Sequence, residues 1–196
     1  MLHKSKMTGK LEGIGAYNTN TKSNKFCEIM HTRKSTICGR CYSHKMLGSY
    51  RKSCVPAFER NSKAFSGVIP DHLIPTTTDA YVRFNAHGEV INHAHMLNIH
   101  NMAKHNPQST FALWTKRVGI VRDYLKAHTK PDNLILIYSN PTIDKPIGPP
   151  RGFDKSFNNV EKGSNIKQNC TEKKCIECRV CYTVNSHPVR IVEAVK

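Results

Sequence analysis

The eight cysteines are the residues of this chain whose type and spacing most strongly indicate chemistry. Thiols two residues apart can direct several sulfurs to one metal ion or to one iron–sulfur cluster. We find no secretory signal at the N-terminus and expect a cytoplasmic protein, in which cysteine groups more often bind metal than form disulfides. The cysteines fall into two groups, Cys27, Cys38, Cys41 and Cys54 in the first and Cys170, Cys175, Cys178 and Cys181 in the second.

The spacing of the second group is the more specific of the two. It reads C-x4-C-x2-C-x2-C, and consecutive C-x2-C steps let a chain wrap a cube-shaped iron–sulfur cluster. A four-thiolate zinc site and thiols without metal are the alternatives. The first group is looser, with ten residues between Cys27 and Cys38, and small buried cysteines would also explain it.

Alternating strand and helix patterns in the middle of the chain predict the scaffold. Three strands separated by two amphipathic helices imply parallel pairing through right-handed crossovers. The fold class expected is therefore α/β, open or barrel-like, formed by one domain over residues 1–196 with cysteine-rich segments at 26–54 and 170–182. The predicted strands are 81–84, 111–114, 134–138 and a final one at 189–195. The predicted helices are 89–105, 118–127 and one within 45–65 that is limited by Pro56. Residues 1–25 and 141–169 are predicted as loop, and an irregular strand is the alternative for residues 1–25.

Positive charge is concentrated at the N-terminal end. The net charge is +16, and residues 1–70 carry 13 basic against 3 acidic side chains. This surplus predicts contact with nucleic acid or, alternatively, partial compensation for bound thiolates. No apolar run is long enough for a membrane span, so no membrane partner is expected.

Histidines crowd the segment between residues 87 and 105. None of the five is three or four residues from another, so they do not form the adjacent-turn pair of a helical zinc site. We therefore predict a solvated polar face for His87, His93, His95, His100 and His105.

Six short motifs follow one another in order along the chain. They are Thr-Ile-Cys38-Gly-Arg-Cys41-Tyr42, Phe58-Glu-Arg60-Asn61, Val82-Arg-Phe-Asn-Ala-His-Gly88-Glu89, Asn106-Pro107, Phe111-Ala-Leu-Trp-Thr-Lys116-Arg117 and Cys175-x2-Cys178-x2-Cys181-Tyr182. This ordered set, over residues 11–182, resembles the bacteriophage gene product 88 family, which is distantly similar to radical S-adenosylmethionine proteins. The resemblance depends on the order of the motifs.

This resemblance implies a phage-encoded protein of the host cytoplasm with a reduced, partial TIM-barrel-like parallel sheet. It implies a [4Fe-4S] cluster on Cys27, Cys38 and Cys41, with S-adenosylmethionine bound near Gly88-Glu89 and Lys116-Arg117. A radical motif has three residues between its first two cysteines, whereas this chain has ten. No ligand role is assigned to Cys54. The second group would hold a second cluster or converge on the first.

Three functions follow from these predictions. The first is an enzyme that cleaves S-adenosylmethionine, and the second is a redox carrier that meets a host redox partner. The third is a zinc-stabilised basic module that binds nucleic acid through its positive surface.

Overall fold

The computed structural model describes residues 1–184, 187 and 189–195. Seven strands and six helices form its regular part. The strands are β1 (Lys4–Lys6), β2 (Gly15–Tyr17), β3 (Tyr81–Phe84), β4 (Thr110–Thr115), β5 (Leu134–Ile143), β6 (Lys155–Val160) and β7 (Arg190–Ala194); the helices are α1 (Lys25–Thr32), α2 (Tyr42–Gly48), α3 (Val55–Ser66), α4 (His93–His105), α5 (Val118–Ala127) and α6 (Cys175–Cys178).

All seven strands belong to one sheet, in the same order as in the sequence. β1 is antiparallel to β2, and every later pairing from β2 to β7 is parallel. Sequential parallel strands are the arrangement of a TIM barrel, and here β7 and β1 are the two edges of the sheet. The predicted α/β class is confirmed, with an open, mostly parallel sheet of seven strands.

The two faces of the sheet have different partners because neighbouring strand residues point to opposite sides. Phe111 and Leu113 of β4 pack with side chains of α3, α4 and α5 in the main core. Ala112 and Trp114 point to the opposite side, which we call the inner face. The inner face is covered by the segment that carries the second cysteine group, so this segment is part of the folded core.

The middle of the chain follows the sequence prediction closely. β3 and α5 have the predicted bounds, and β4, β5 and β7 overlap their predicted ranges. α4 begins at His93, later than predicted, because the Asn92 side chain accepts the His95 backbone N–H and caps the helix there. The helix predicted within 45–65 is divided, and Pro56 lies in the first turn of α3, where proline is tolerated.

Three strands lie in segments predicted as loop. β1 and β2 have three residues each and lie in the segment 1–25, for which an irregular strand was the alternative. β6 lies inside the segment 141–169, so the prediction of a loop there was wrong. The sequence of β6 is Lys-Ser-Phe-Asn-Asn-Val, and three of its four polar side chains are buried. For example, the Asn158 side chain accepts a hydrogen bond from the Asn140 side-chain amide at 2.9 Å and donates one to the Ile191 carbonyl at 3.1 Å. Tertiary hydrogen bonds therefore make a polar sequence suitable for a central strand.

The predicted solvated face of histidines was wrong for three of the five. His87, His95 and His100 are buried, with 6%, 0% and 8% of their surface exposed. His95 stacks on Phe65 with ring centroids 4.3 Å apart. These rings fill core positions, which the polarity of histidine conceals in a sequence pattern. Over the described residues, no helix is long and apolar enough to cross a bilayer.

Candidate functional site

The carboxyl edge of the sheet is covered by residues 22–54, which we call the cap segment. Thr36 forms an isolated antiparallel bridge with Thr142 at the end of β5. Arg40 makes a 2.6 Å salt bridge with Glu161, just after β6. Parallel strands all have their carboxyl ends at the same edge of the sheet. These two links therefore bring the cap segment over the edge where α/β proteins have their active and binding sites.

Cys27 is positioned by the start of α1. The Asn24 side chain accepts the backbone N–H groups of Phe26 at 3.0 Å and Cys27 at 3.4 Å. The same side chain donates to the Glu89 carbonyl at 3.0 Å. One asparagine therefore caps α1 and ties Cys27 to the loop that follows β3.

Cys38 and Cys41 are held by a compact turn at residues Ile37–Arg40. The Thr36 hydroxyl donates to the Arg33 carbonyl at 2.8 Å, and the Cys41 N–H donates to the Cys38 carbonyl at 3.1 Å. A Cβ atom at Gly39 would lie 2.7 Å from the Arg33 carbonyl oxygen. The Cys-Gly-x-Cys phrase thus needs glycine because the backbone of the preceding turn contacts it directly.

The three thiols share their surroundings with one lysine and one glutamate. Burial raises the pKa of Cys27, and the nearby Glu89 and Cys41 raise it further. Burial also raises the pKa of Cys38, against the opposing effect of Lys116. Burial would lower the pKa of Lys116, but the thiols and Glu89 together raise it above its usual range. Cys27, Cys38, Cys41 and Glu89 therefore all lie close enough to Lys116 to affect its pKa, and their assignment to one binding site stays a prediction.

Glu89 also has a structural role. Its carboxylate accepts the backbone N–H of Val90 at 2.8 Å and that of Lys116 at 2.9 Å, so it joins the ends of β3 and β4. Gly88 before it has φ +91°, and a Cβ there would lie 2.6 Å from the Thr19 carbonyl oxygen. Glycine is required at this position by the backbone alone.

The side chains of Lys116 and Arg117 have different hydrogen-bond partners. Lys116 donates to the Ser139 hydroxyl at 2.9 Å, on the side of the thiols. Arg117 donates to the carbonyls of Val90 and Ile91, at 3.3 Å each, and its guanidinium lies 4.8 Å from the centre of the Phe26 ring. Arg117 therefore fastens α1 beside Cys27.

Tyr42 is a site residue to which the sequence analysis gave no role. It is 53% exposed to solvent. Its hydroxyl donates to the Ala86 carbonyl, just after β3. The ring also contacts His87, which is hydrogen-bonded to Ser43 at 2.9 Å. The repeated Cys-Tyr phrase was the available signal.

The second cysteine group lies elsewhere, on the inner face of the sheet. Arg179, between two of these cysteines, has φ +55°, and this left-handed turn follows the single turn of α6. Burial raises the pKa of the Cys181 thiol to about 12, with the other three thiols adding to the effect. One small recess is lined by all four cysteines, Cys170, Cys175, Cys178 and Cys181.

Two cations lie close to the second group. Lys10 donates to the Cys170 sulfur at 3.7 Å and to Glu193 at 2.6 Å. Arg83 on β3 opposes the burial effects that raise the pKa values of the Cys175 and Cys181 thiols. Its guanidinium lies 3.8 Å from the centre of the Trp114 ring. These cations stabilise thiolates in a setting that otherwise favours neutral thiols.

The inner face also contains buried polar atoms without a partner. Trp114 Nε1 and Asn85 Oδ1 make no hydrogen bond in the described structure, and both residues are only 6% exposed. Unsatisfied buried polar groups are costly, and they are consistent with a site that accepts a ligand. Nowhere in the described ranges do three or more histidine, cysteine or acidic side chains form a ready site for one metal ion.

The fold and the site define an α/β protein with a cysteine-bearing cap over the carboxyl edge of an open, mostly parallel sheet. The sequence profile of the family described as gene product 88 matches residues 3–160, and the chain belongs to this family, as its motifs predicted. The match includes the cap segment and ends before the second cysteine group. No curated protein and no solved structure matches the chain. The more distant radical S-adenosylmethionine resemblance stays a prediction.

Proposed function

We propose that the protein binds an iron–sulfur cluster at the carboxyl edge of its sheet through Cys27, Cys38 and Cys41. The observation that carries this proposal is that all three thiols, from α1 and the following turn, lie close enough to Lys116 to raise its pKa. Thiolates bound to a cluster bring negative charge into a partly buried place, and a neighbouring lysine offsets it.

Three thiolates leave one iron of a cubane without a protein ligand. When bound, such a cluster supplies an electron and an open iron position for a small molecule. S-adenosylmethionine is the ligand that the family motifs imply. Glu89 and Lys116 lie beside the thiols, and Tyr42, next to Cys41, is bonded to the loop that follows β3. Glu89 has lone pairs beyond the two that accept backbone N–H groups, so it can still accept a hydrogen bond from an amino group.

The second group is proposed as a separate metal site. Its four thiols surround one recess on the inner face, where Lys10 and Arg83 provide positive charge. Four cysteines complete a cluster or a zinc ion without an open position. This site would fasten residues 170–182 to the sheet, and it could also pass electrons to the first site or to a host redox partner.

The first experiment is anaerobic purification followed by measurement of iron, acid-labile sulfide and zinc. We expect a brown protein with iron and sulfide in near-equal amounts. Their ratio to protein distinguishes one cluster from two. A colourless protein with zinc and no sulfide would refute the cluster and favour the zinc-stabilised nucleic-acid module.

Single cysteine variants then assign the sites. Cys38→Ser should remove the metal of the first site only, and Cys178→Ser that of the second only. Cys54→Ser is the matched control, because Cys54 is half-buried in the same segment but was given no ligand role. Equal metal loss in Cys54→Ser and Cys38→Ser would refute the assignment of the first site.

The only tryptophan of the chain provides an independent reading of the second site. The Trp114 ring lies 6.0 Å from the Tyr182 ring, centre to centre, and Tyr182 directly follows Cys181. An iron–sulfur chromophore bound by Cys181, next to Tyr182, would lie near the Trp114 ring and should quench its emission strongly. Removing the metal should restore emission in the wild type and change it little in Cys178→Ser.

Activity is tested with the reduced, iron-loaded protein. An enzyme of the radical type should bind S-adenosylmethionine in equilibrium dialysis and release deoxyadenosine after reduction. Glu89→Gln should weaken that binding. A redox carrier should cycle reversibly without binding S-adenosylmethionine, and this result would refute the enzymatic arm while leaving the cluster in place.

A further inference from the structure

We infer that the cap segment is a docking surface for single-stranded nucleic acid. This inference goes beyond the proposed metal chemistry, because it concerns the outer surface of the cap. The segment 22–54 contains a single acidic residue, Glu28. It contains eight basic residues, Lys22, Lys25, Arg33, Lys34, Arg40, Lys45, Arg51 and Lys52.

These cations are available to a partner. Within the described part of the chain, Arg40 is the only one of the eight that forms a salt bridge. Arg51 is half-buried and reaches only the Thr8 hydroxyl, at 3.5 Å. The other seven residues are exposed. Exposed cations without acidic neighbours keep their full attraction for phosphate groups.

Compensation for bound thiolates does not explain this charge. A cation that acts on the thiols of Cys27, Cys38 and Cys41 is Lys116, which directly follows β4 and is half-buried. The basic side chains of the cap face water, where the solvent screens their effect on a buried site. The cap cations therefore need another explanation, and a polyanion supplies it.

An exposed aromatic residue indicates an unpaired strand as the ligand. Tyr50 follows α2, is 73% exposed, and directly precedes Arg51 and Lys52. Single-strand-binding surfaces combine a basic path for the backbone with aromatic rings on which bases stack. Lys22 approaches the same place, since a Cβ at Gly48 would lie 3.3 Å from its Nζ. The cap also carries Tyr42, which is 53% exposed.

The test compares two sets of charge substitutions in the metal-loaded protein. The first set is Arg33→Gln, Lys34→Gln, Lys45→Gln and Lys52→Gln, all exposed in the cap. The control set is Lys104→Gln, Arg122→Gln, Lys162→Gln and Lys167→Gln, all exposed outside it, so both proteins lose the same net charge. A fluorescently labelled 20-nucleotide single strand, as DNA and as RNA, is titrated at several salt concentrations.

We expect the wild type to bind the single strand with a steep salt dependence. The cap set should weaken binding at 0.1 M salt by at least tenfold. It should also reduce the slope of log affinity against log salt by roughly 3, since each phosphate that a cation neutralises adds about 0.7 to that slope. Tyr50→Ala should weaken binding by about tenfold, the range expected when one base no longer stacks, and Leu73→Ala, which removes another exposed apolar side chain, should not.

Three results would overturn the inference. They are no binding by the wild type, equal weakening by both substitution sets, and binding to a duplex or to polyglutamate as tight as to the single strand. Metal and sulfide are measured in every sample. A cap set that loses oligonucleotide binding at unchanged metal content separates this surface from the proposed cluster site.

Discussion

Acid should destabilise this protein through two histidines that are buried in the neutral form. Burial, with positive charge from Arg83 and Arg51, lowers the pKa of His87 to about 4. Burial alone lowers the pKa of His95 to about 3. In the unfolded chain both rings take the ordinary histidine value of 6.5.

The direction of the effect follows from where the protons bind. Between pH 6.5 and the folded-state pKa values, the unfolded chain binds protons that the folded protein excludes. The free energy of unfolding therefore decreases as the pH falls through this window, by about 1.4 kcal/mol per pH unit for each histidine. Between about pH 7 and about pH 4.5, each ring lowers the free energy of unfolding by about 2 to 3 kcal/mol, and the two together by about 5 kcal/mol. This loss approaches the whole stability of many domains, which is about 5–15 kcal/mol.

Urea unfolding followed by circular dichroism between about pH 4.5 and pH 7 measures this directly. His95→Gln keeps a hydrogen-bonding side chain but has no group that titrates here, so its stability should depend on pH less steeply, by about 1.4 kcal/mol per pH unit. His93→Gln on the same helix is the control, because the His93 side chain is 66% exposed. If the free energy of unfolding depended on pH equally steeply in the wild type and in His95→Gln, His95 would not be a source of the acid sensitivity.

Three further substitutions test how the first site is built. Gly39→Ala places a Cβ 2.7 Å from the Arg33 carbonyl and should reduce bound iron without changing the circular dichroism, whereas Gly119→Ala, whose Cβ meets nothing, should retain the iron. Asn24→Ala should cost about 1 kcal/mol in urea unfolding, because α1 loses its cap, and normal stability would contradict this role. Lys116→Gln should shift metal binding to higher pH, because the opposing cation no longer favours the thiolate of Cys38; an unshifted titration would show that the lysine acts elsewhere.

Prediction from the sequence succeeded where one element decides its own structure. The apolar runs at β3 to β5 and the amphipathic pattern of α5 depend on neighbouring residues, and they were recognised. β6 was missed because its asparagines and serine are satisfied only by distant partners, such as Asn140 and Ile147. His95 was misjudged for the same reason, since only the packing against Phe65 shows that it is buried.

The sequence by itself determined the α/β class, the family and the closeness of the two thiols within each Cys-x2-Cys phrase. The class and the family follow from the order of local patterns along the chain. The two thiols of a phrase are close because residues three apart in a tight turn lie near each other. Only the tertiary structure decided that Cys27 lies near enough to Lys116 to affect its pKa, as Cys38 and Cys41 do, and that the second group packs on the inner face. Strand register and the links from Thr36 and Arg40 to distant strand ends set those distances, and no local pattern encodes them.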